Sequence, residues 1–194
     1  MKTEREMLEL IINAANADER IRAVYMNGSR ANPNAEKDKY QDYDVVFVVT
    51  ETASFLADKS WPETFGETAI VQEPDWNDIK TGLYGGEYDS SRRYAWLILL
   101  RDGNRVDLTI EIKEEAEKSF VDDKLTVLLL DKDGFLPEIP PPTDEDYYVK
   151  KPLQDEYTAY CNNFWWCLNN VAKGIARDEL PYAMEMYNSV VRKY

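Results

Sequence analysis

A Gly-Ser pair and two carboxylates further along the chain are the residues whose types and spacing could do chemistry. Gly28 and Ser29 form a turn, and Asp42 and Asp44 open an apolar run at residues 45–49. Because side chains alternate between the faces of a strand, Asp42 and Asp44 point the same way. Two such carboxylates repel each other unless a cation lies between them. Oxygen pairs of this kind suit Mg²⁺ bound together with substrate phosphates, so the pattern predicts a phosphate-and-metal site.

The Gly-Ser turn would hold the phosphate part of such a site. Gly28 permits close approach of the backbone to a phosphate, and Ser29 offers a hydroxyl and a backbone N–H. An ordinary turn followed by a solvated strand entry would use the same residue types. Either half alone is more often structural, but the two together favour the functional interpretation.

A third carboxylate is available on a later strand. Apolar and polar residues alternate over residues 106–112, which predicts a strand with Val106 and Leu108 on one face and Asp107 on the other. If this strand lies beside the one that begins at Asp42, Asp107 completes a set of three metal ligands. If it does not, Asp107 is a solvent-side residue of a half-buried strand.

The elements that must position these residues form a mixed pattern. Thr3 and Glu6 predict a capping box for a first helix that ends near residues 16–18. Short helices are predicted at 54–57 and 114–120, and strands at 21–26, 45–49, 68–72, 94–100, 106–112 and 126–130. The polar segment 75–93 is predicted to be a long loop. Its glycines and its acids could border a substrate cleft, or the segment could be a mobile surface loop. The acids are Asp75, Asp78, Glu87 and Asp89.

A proline-rich stretch at residues 137–142 divides the chain. We therefore predict a domain at 1–136, a linker at 137–152 and helices at 153–194. A long aromatic-rich helix is expected at 153–176 and a second one at about 178–191. The apolar residues of this last helix predict a helical domain that is shortened here or else pairs with another copy.

Composition excludes several classes of function. The 194 residues include 37 acidic and 23 basic side chains, for a formal net charge of −14, which repels nucleic acid and anionic membranes. There is no His, so a His-based triad or His-ligated zinc site is excluded. Cys161 and Cys167 are too far apart in one helix for a disulfide. Free thiols fit a reducing compartment. The N-terminus is too charged for a signal peptide, and no apolar run is long enough to span a membrane. We therefore predict a soluble cytoplasmic protein.

With these motifs in place, the sequence resembles the aminoglycoside (streptomycin) 6-adenylyltransferase family of the nucleotidyltransferase superfamily. The resemblance covers essentially the whole chain. It is carried by residues 22–30, 41–47, 105–109, 131–134, 140–147, 164–166 and 171–174. Members of that family carry a longer C-terminal helical domain.

The resemblance implies an α+β fold, with a nucleotidyltransferase-type mixed β-sheet flanked by helices and followed by a partial α-helical domain. It implies transfer of AMP from MgATP to a hydroxyl of streptomycin, with release of pyrophosphate, and hence antibiotic resistance. Asp42, Asp44 and Asp107 would be the catalytic and metal-binding residues. The triphosphate would be held by Gly28, Ser29 and Arg30.

Two alternatives stay open at this point. The same chemistry could act on a different small hydroxyl acceptor, or the chain could bind nucleotide without turnover as a regulatory or interaction module. The partners expected are ATP and an aminoglycoside, with neither nucleic acid nor membrane, and the sequence leaves the oligomeric state open.

Overall fold

The computed structural model describes residues 1–83 and 88–193. The chain divides into two compact units, Met1–Tyr147 and Tyr148–Tyr194. The first unit contains a mixed β-sheet with helices on both faces, which confirms the predicted α+β class, and the second is helical.

In the described part of the first unit, six strands form the sheet. In chain order they are β1 (Ile21–Asn27), β2 (Tyr43–Val49), β3 (Thr68–Gln72), β4 (Arg93–Leu100), β5 (Arg105–Ile112) and β6 (Val127–Asp131). Their spatial order is β3-β4-β5-β2-β1-β6. The central pair, β2 and β5, is parallel, whereas every other neighbouring pair is antiparallel. All six predicted strands are therefore confirmed, with ends that differ by a residue or two.

The sheet is accompanied by the α-helices α1 (Glu4–Ala17), α2 (Ala53–Ala57) and α3 (Lys113–Asp122). The capping box predicted for α1 is present. The Thr3 N–H donates to Glu6 Oε2 at 2.8 Å, and the Glu6 N–H donates to Thr3 Oγ1 at 3.3 Å. Two of the four N–H groups that a helix start leaves unpaired are often satisfied in this reciprocal way.

The helices pack on opposite faces of the sheet. Met7 and Ile11 of α1 join one core with Phe47 and Leu108, and all four are fully buried. On the other face, Phe120 of α3 packs on Tyr25 with ring centroids 5.2 Å apart. Asp44 and Asp107 belong to this second face by strand alternation. Both acids are half-buried, whereas Val46, two residues after Asp44 on β2, is buried with 8% of its surface exposed.

A buried acid marks the closed end of the α3 face. Glu111 is 1% exposed, and its Oε1 accepts hydrogen bonds from the Tyr25 hydroxyl at 2.5 Å and from Ser119 Oγ at 2.7 Å. Burial next to Glu111 raises the pKa of Tyr25 far above its ordinary value. Asp107 lies on the same face of β5, four residues before Glu111. Helix α3 contacts the Glu111 end of this face through Ser119.

The segment predicted as a long loop begins with a helical turn. A π-helix spans Asp75–Lys80. It is anchored to the sheet because Asp75 Oδ2 accepts a hydrogen bond from the Ala95 N–H at 2.7 Å, and Asp78 Oδ2 accepts one from Gln72 Nε2 at 2.8 Å. Glu87 and two of the glycines on which the prediction relied, Gly85 and Gly86, lie outside the described residues.

The second unit consists of α4 (Gln154–Ala176), α5 (Leu180–Ser189) and a 3-10 turn at Val191–Lys193. The second helix, expected from about residue 178, begins at Leu180, because Asp178 has φ of 58°. Gly174 is buried where α4 meets α5, and a Cβ there would lie 3.0 Å from Ala183 Cβ.

Several side chains of the second unit are exposed. Trp165 and Trp166 of α4 are 68% and 77% exposed. Cys161 and Cys167 are free thiols, as predicted.

Among the helices described in either unit, none combines the length and apolar character needed to cross a membrane.

Candidate active site

Asp44 and Asp107 lie directly opposite each other on the two central strands. The parallel pairing of β2 with β5 matches Asp44 to Asp107 and Val46 to Thr109. Residues matched across a ladder share a face of the sheet. The condition that the sequence left open is therefore met, because the strand of Asp107 neighbours the strand that follows Asp42.

The row containing the two carboxylates continues across the sheet. Leu97 of β4 is matched to Asp107, and Asn27 of β1 is matched to Asp44. Asn27 is held in place by its Nδ2 group, which donates to Thr126 Oγ1 at 2.7 Å. The acids therefore have an apolar neighbour on one side and an amide on the other.

Gly28 lies against the carboxylate of Asp44. Its φ is +73°, a left-handed conformation that favours glycine. A Cβ at this position would overlap Asp44 Oδ2 and would lie 2.9 Å from Asp44 Cγ. The glycine is thus required twice, once for its backbone conformation and once for the space that the carboxylate occupies.

The turn after Gly28 is tied to the residue that precedes Asp42. The Ala31 N–H donates to the Gly28 carbonyl at 3.1 Å, and the Asn32 N–H donates to the Ser29 carbonyl at 3.3 Å. Gln41 Nε2 also donates to the Ser29 carbonyl, at 3.2 Å. These bonds bring Gly28 and Ser29 to the same end of the sheet as the acids. Their role towards a phosphate stays a prediction.

The guanidinium of Arg30 donates hydrogen bonds to backbone carbonyl groups next to the site. Its side chain is 7% exposed, and its guanidinium lies 3.8 Å from the centre of the Tyr43 ring. Arg30 Nε donates to the Asp42 carbonyl at 2.9 Å, and Nη2 donates to the Gln41 carbonyl at 2.7 Å. These contacts hold the backbone at Asp42 in place, and the role of Arg30 as a triphosphate ligand stays a prediction.

Arg105 is a residue of the site that the sequence analysis did not single out. Its Nε donates to Asp107 Oδ1 and its Nη2 to Asp107 Oδ2, both at 2.7 Å. Its Nη1 lies 3.2 Å from Asp42 Oδ2. The signal was present, because Arg105 precedes Asp107 by two residues and so shares its strand face.

Burial and nearby negative charge together raise the pKa of Asp44. Burial is the largest cause, and the charges of Asp107 and Asp42 add to it, so the pKa rises from 3.8 to about 6. Burial also raises the pKa of Asp42, although Arg105 opposes the rise. Among the described residues, none donates a hydrogen bond to the Asp44 carboxylate. A cation close to such a carboxylate would favour its charged form and lower its pKa.

The donor set fits a hard cation in its chemistry. Asp42, Asp44 and Asp107 supply only oxygen atoms, which Mg²⁺ prefers. Within residues 1–83 and 88–193, however, no three acidic, His or Cys side chains are already gathered as a metal cluster. Arg105 instead supplies positive charge to Asp42 and Asp107.

A second contact missed by the sequence analysis anchors the loop that joins β1 to β2. Asn32 Nδ2 donates to Asp144 Oδ2 at 3.2 Å, and Asn34 Nδ2 donates to Asp144 Oδ1 at 2.9 Å. Asp144 is 9% exposed. No local pattern links residues so distant in sequence, although Asp144 lies in a stretch that carried the family resemblance.

Comparison with known proteins identifies the family of the chain. The family model described as streptomycin adenylyltransferase matches residues 1–194. The chain is 38% identical over 193 residues to an aminoglycoside 6-adenylyltransferase of Campylobacter jejuni and 37% identical over 193 residues to one of Bacillus subtilis. These matches cover 100% and 99% of this chain, but only 65% and 66% of the two relatives.

A solved structure is similar as well. It is the crystal structure of an aminoglycoside 6-adenyltransferase from Bacillus subtilis, with a TM-score of 0.54 and 32% sequence identity. The match covers 99% of this chain and 64% of that one. The chain thus spans about 65% of the length of the proteins it matches.

Proposed function

We propose that this chain, which belongs to the streptomycin adenylyltransferase family, transfers AMP from MgATP to a hydroxyl of an aminoglycoside, releasing pyrophosphate. The acceptor we favour is the 6-hydroxyl of streptomycin, and the biological outcome is antibiotic resistance. The observation that carries the proposal is the pairing of Asp44 with Asp107 beside Gly28. The free thiols and the ATP requirement favour the cytoplasm as the site of reaction.

The three carboxylates would hold the magnesium. Asp42, Asp44 and Asp107 offer oxygen ligands from the adjoining ends of neighbouring strands. When bound, Mg²⁺ stabilises the charge on the phosphoryl oxygens during an in-line displacement. Arg30 contributes indirectly, because it fixes the backbone from which Asp42 projects.

The turn at Gly28 and Ser29 would bind the triphosphate. Gly28 has no side chain to keep a phosphate away from the backbone, and Ser29 has a hydroxyl and an N–H to donate. Asp107 would receive the proton of the attacking hydroxyl. Both of its oxygens accept hydrogen bonds from Arg105, and displacement of Arg105 would leave both of them free for this role.

Charge favours the same class of acceptor. The net charge of −14 attracts a polycationic antibiotic over long range and repels nucleic acid. Steering of this kind raises the association rate at low ionic strength and is screened by salt.

Mass spectrometry of streptomycin incubated with the chain and MgATP tests the proposal. We expect a product heavier by one adenylyl group, formed only when ATP, magnesium and streptomycin are all present. Asp44→Asn and Asp107→Asn should reduce its formation by about a hundredfold or more, because each removes a charge that the reaction uses. Asp122→Asn, at the exposed end of α3, is the matched control.

The alternatives give different results in the same assay. Adenylylation of another antibiotic in an acceptor panel, with streptomycin unmodified, would identify a different substrate. Calorimetric binding of MgATP without transfer to any acceptor would identify a nucleotide-binding module and overturn the proposed activity.

A further inference from the structure

One arginine joins two of the three acids of the site. Arg105 donates to both oxygens of Asp107 at 2.7 Å, and its Nη1 lies 3.2 Å from Asp42 Oδ2. A planar guanidinium suits this paired arrangement, because its parallel N–H groups match the two oxygens of a carboxylate. Arg105 therefore bridges an acid of β5 and the acid that precedes β2.

The backbone beneath Arg105 is firmly held. Arg105 is the first residue of β5 and is matched to Leu99 across the hairpin. In the hairpin turn, Asp102 Oδ1 accepts a hydrogen bond from the Asn104 N–H at 2.9 Å, and Asp102 Oδ2 accepts one from the Lys2 N–H at 3.1 Å. The Arg105 side chain is 43% exposed, in contrast to 18% for Asp107. The side chain can therefore swing into solvent while the backbone and the acid stay in place.

We propose that Arg105 is a built-in counter-ion of the carboxylate site, which competes with a divalent cation for Asp42 and Asp107 and is displaced when that cation binds. The inference rests on the proposed function only in taking these acids as the cation ligands. A cation bound by Asp42 and Asp107 would lie next to the positive charge of the guanidinium, and like charges repel at such distances.

The competition has a consequence for the order of binding. A free cation must displace Arg105 into solvent without offering the guanidinium a new anionic partner, so we expect a free cation to bind weakly by itself. A cation that arrives on a nucleotide brings phosphate oxygens, which are alternative partners for a displaced arginine. Arg105 thereby favours the metal–nucleotide complex over the free metal.

Binding of Mn²⁺ alone, followed by electron paramagnetic resonance in the absence of nucleotide and acceptor, tests this proposal. We expect Arg105→Gln to bind Mn²⁺ about three- to tenfold more tightly than the original chain, since it lacks the competing charge. The rise in melting temperature on adding Mn²⁺ should likewise be larger for Arg105→Gln. Neither readout depends on adenylyl transfer, so an inactive chain would leave the test intact.

A matched control separates the local effect from the change in net charge. Arg101 forms an exposed ion pair with Glu67 at 2.6 Å, with its side chain 64% exposed. Arg101→Gln makes the same change in net charge outside the acidic site, and it should leave the Mn²⁺ affinity within about twofold of the original chain.

A conservative variant protects the test against misfolding. Arg105→Lys keeps the charge but loses the paired hydrogen bonds to Asp107, so its Mn²⁺ affinity should fall between those of the original chain and Arg105→Gln. If Arg105→Gln does not fold, tighter binding by Arg105→Lys supports the proposal. Equal or weaker binding by the folded Arg105 variants, or no Mn²⁺ binding by any of the proteins, overturns it.

Discussion

The carboxylate of Asp44 fills the space that a side chain on Gly28 would need. Any Cβ on Gly28 would overlap Asp44 Oδ2, and the residue also has φ of +73°. The turn that is expected to bind phosphate and the acid that is expected to bind metal are therefore in direct contact. A change in one must displace the other.

Gly28→Ala tests this contact. We expect it to lower the free energy of unfolding by about 1–2 kcal/mol for the left-handed backbone, with about 1–3 kcal/mol more for the overlap with Asp44. Chemical denaturation measures the loss. Gly134→Ala is the control, because Gly134 has φ of 64° but no atom within 4 Å of a built Cβ. Equal losses in the two variants would contradict the close contact.

Ionisation of Asp44 lowers the free energy of unfolding of the metal-free protein, by an amount that depends on pH. Its pKa is raised to about 6 in the folded state, mainly by burial, against 3.8 for the ordinary group. The folded protein therefore holds this proton more tightly than the unfolded chain does, and the cost of ionising Asp44 develops as pH rises from about 4 through about 6.

Asp44→Asn should remove that cost. Above pH 6, in the presence of a chelator, we expect its melting temperature to exceed that of the original chain by about 2–4 °C for each kcal/mol recovered. The difference should shrink as pH falls towards 4. Mn²⁺ affinity of the original chain should also fall as pH drops through about 6, because the cation competes with the proton. A melting difference that is constant from pH 4 to 8 would contradict the shift.

Arg30 is expected to act on Asp42 through the backbone. Arg30→Lys keeps the charge but cannot cover the Tyr43 ring and donate to both carbonyls, so we expect a loss of about 1–2 kcal/mol in the free energy of unfolding. Mn²⁺ affinity should fall as well, because Asp42 is less firmly placed. Arg5→Lys, on the 84% exposed Arg5, is the control. Unchanged stability with weaker ATP binding would instead support the predicted role of Arg30 as a phosphate ligand.

The second unit offers an independent test of packing. Gly174→Ala should raise helix propensity by about 1 kcal/mol. The new methyl group would nevertheless lie 3.0 Å from both Ala183 Cβ and Tyr182 Cδ1. We expect the overlap to prevail, with a net loss of stability measured by circular dichroism. Adding Ala183→Gly should restore part of the loss, and an additive double variant would show that the two residues do not touch.

The sequence predicted the parts of the molecule that depend on local patterns. Alternation located the strands, the Thr3 and Glu6 pair located the start of α1, and the spacing of Asp42 and Asp44 indicated the candidate site. Alternation says nothing about which strands become neighbours, however. The parallel pairing of β2 with β5, which brings Asp107 to Asp44, could be stated only as a condition.

The contacts that the sequence analysis missed depend on charge and on distance along the chain. Arg105 begins a strand after a hairpin turn, and nothing in its local pattern shows that it is paired with Asp42. The family resemblance implies a phosphate role for Arg30, and it does not show that the guanidinium lies over the Tyr43 ring. Long-range partners of this kind follow from the assembled sheet.

The hydrogen bonds from Asn32 and Asn34 to Asp144 should set a lower limit on the length of a working fragment. Asp144 lies beyond the last strand of the sheet, yet it holds the loop that runs from Gly28 to Asp42. A fragment ending at residue 136 would contain every strand and all three acids but would lack this outer anchor. The smallest piece able to keep the acids in register should therefore extend past Asp144.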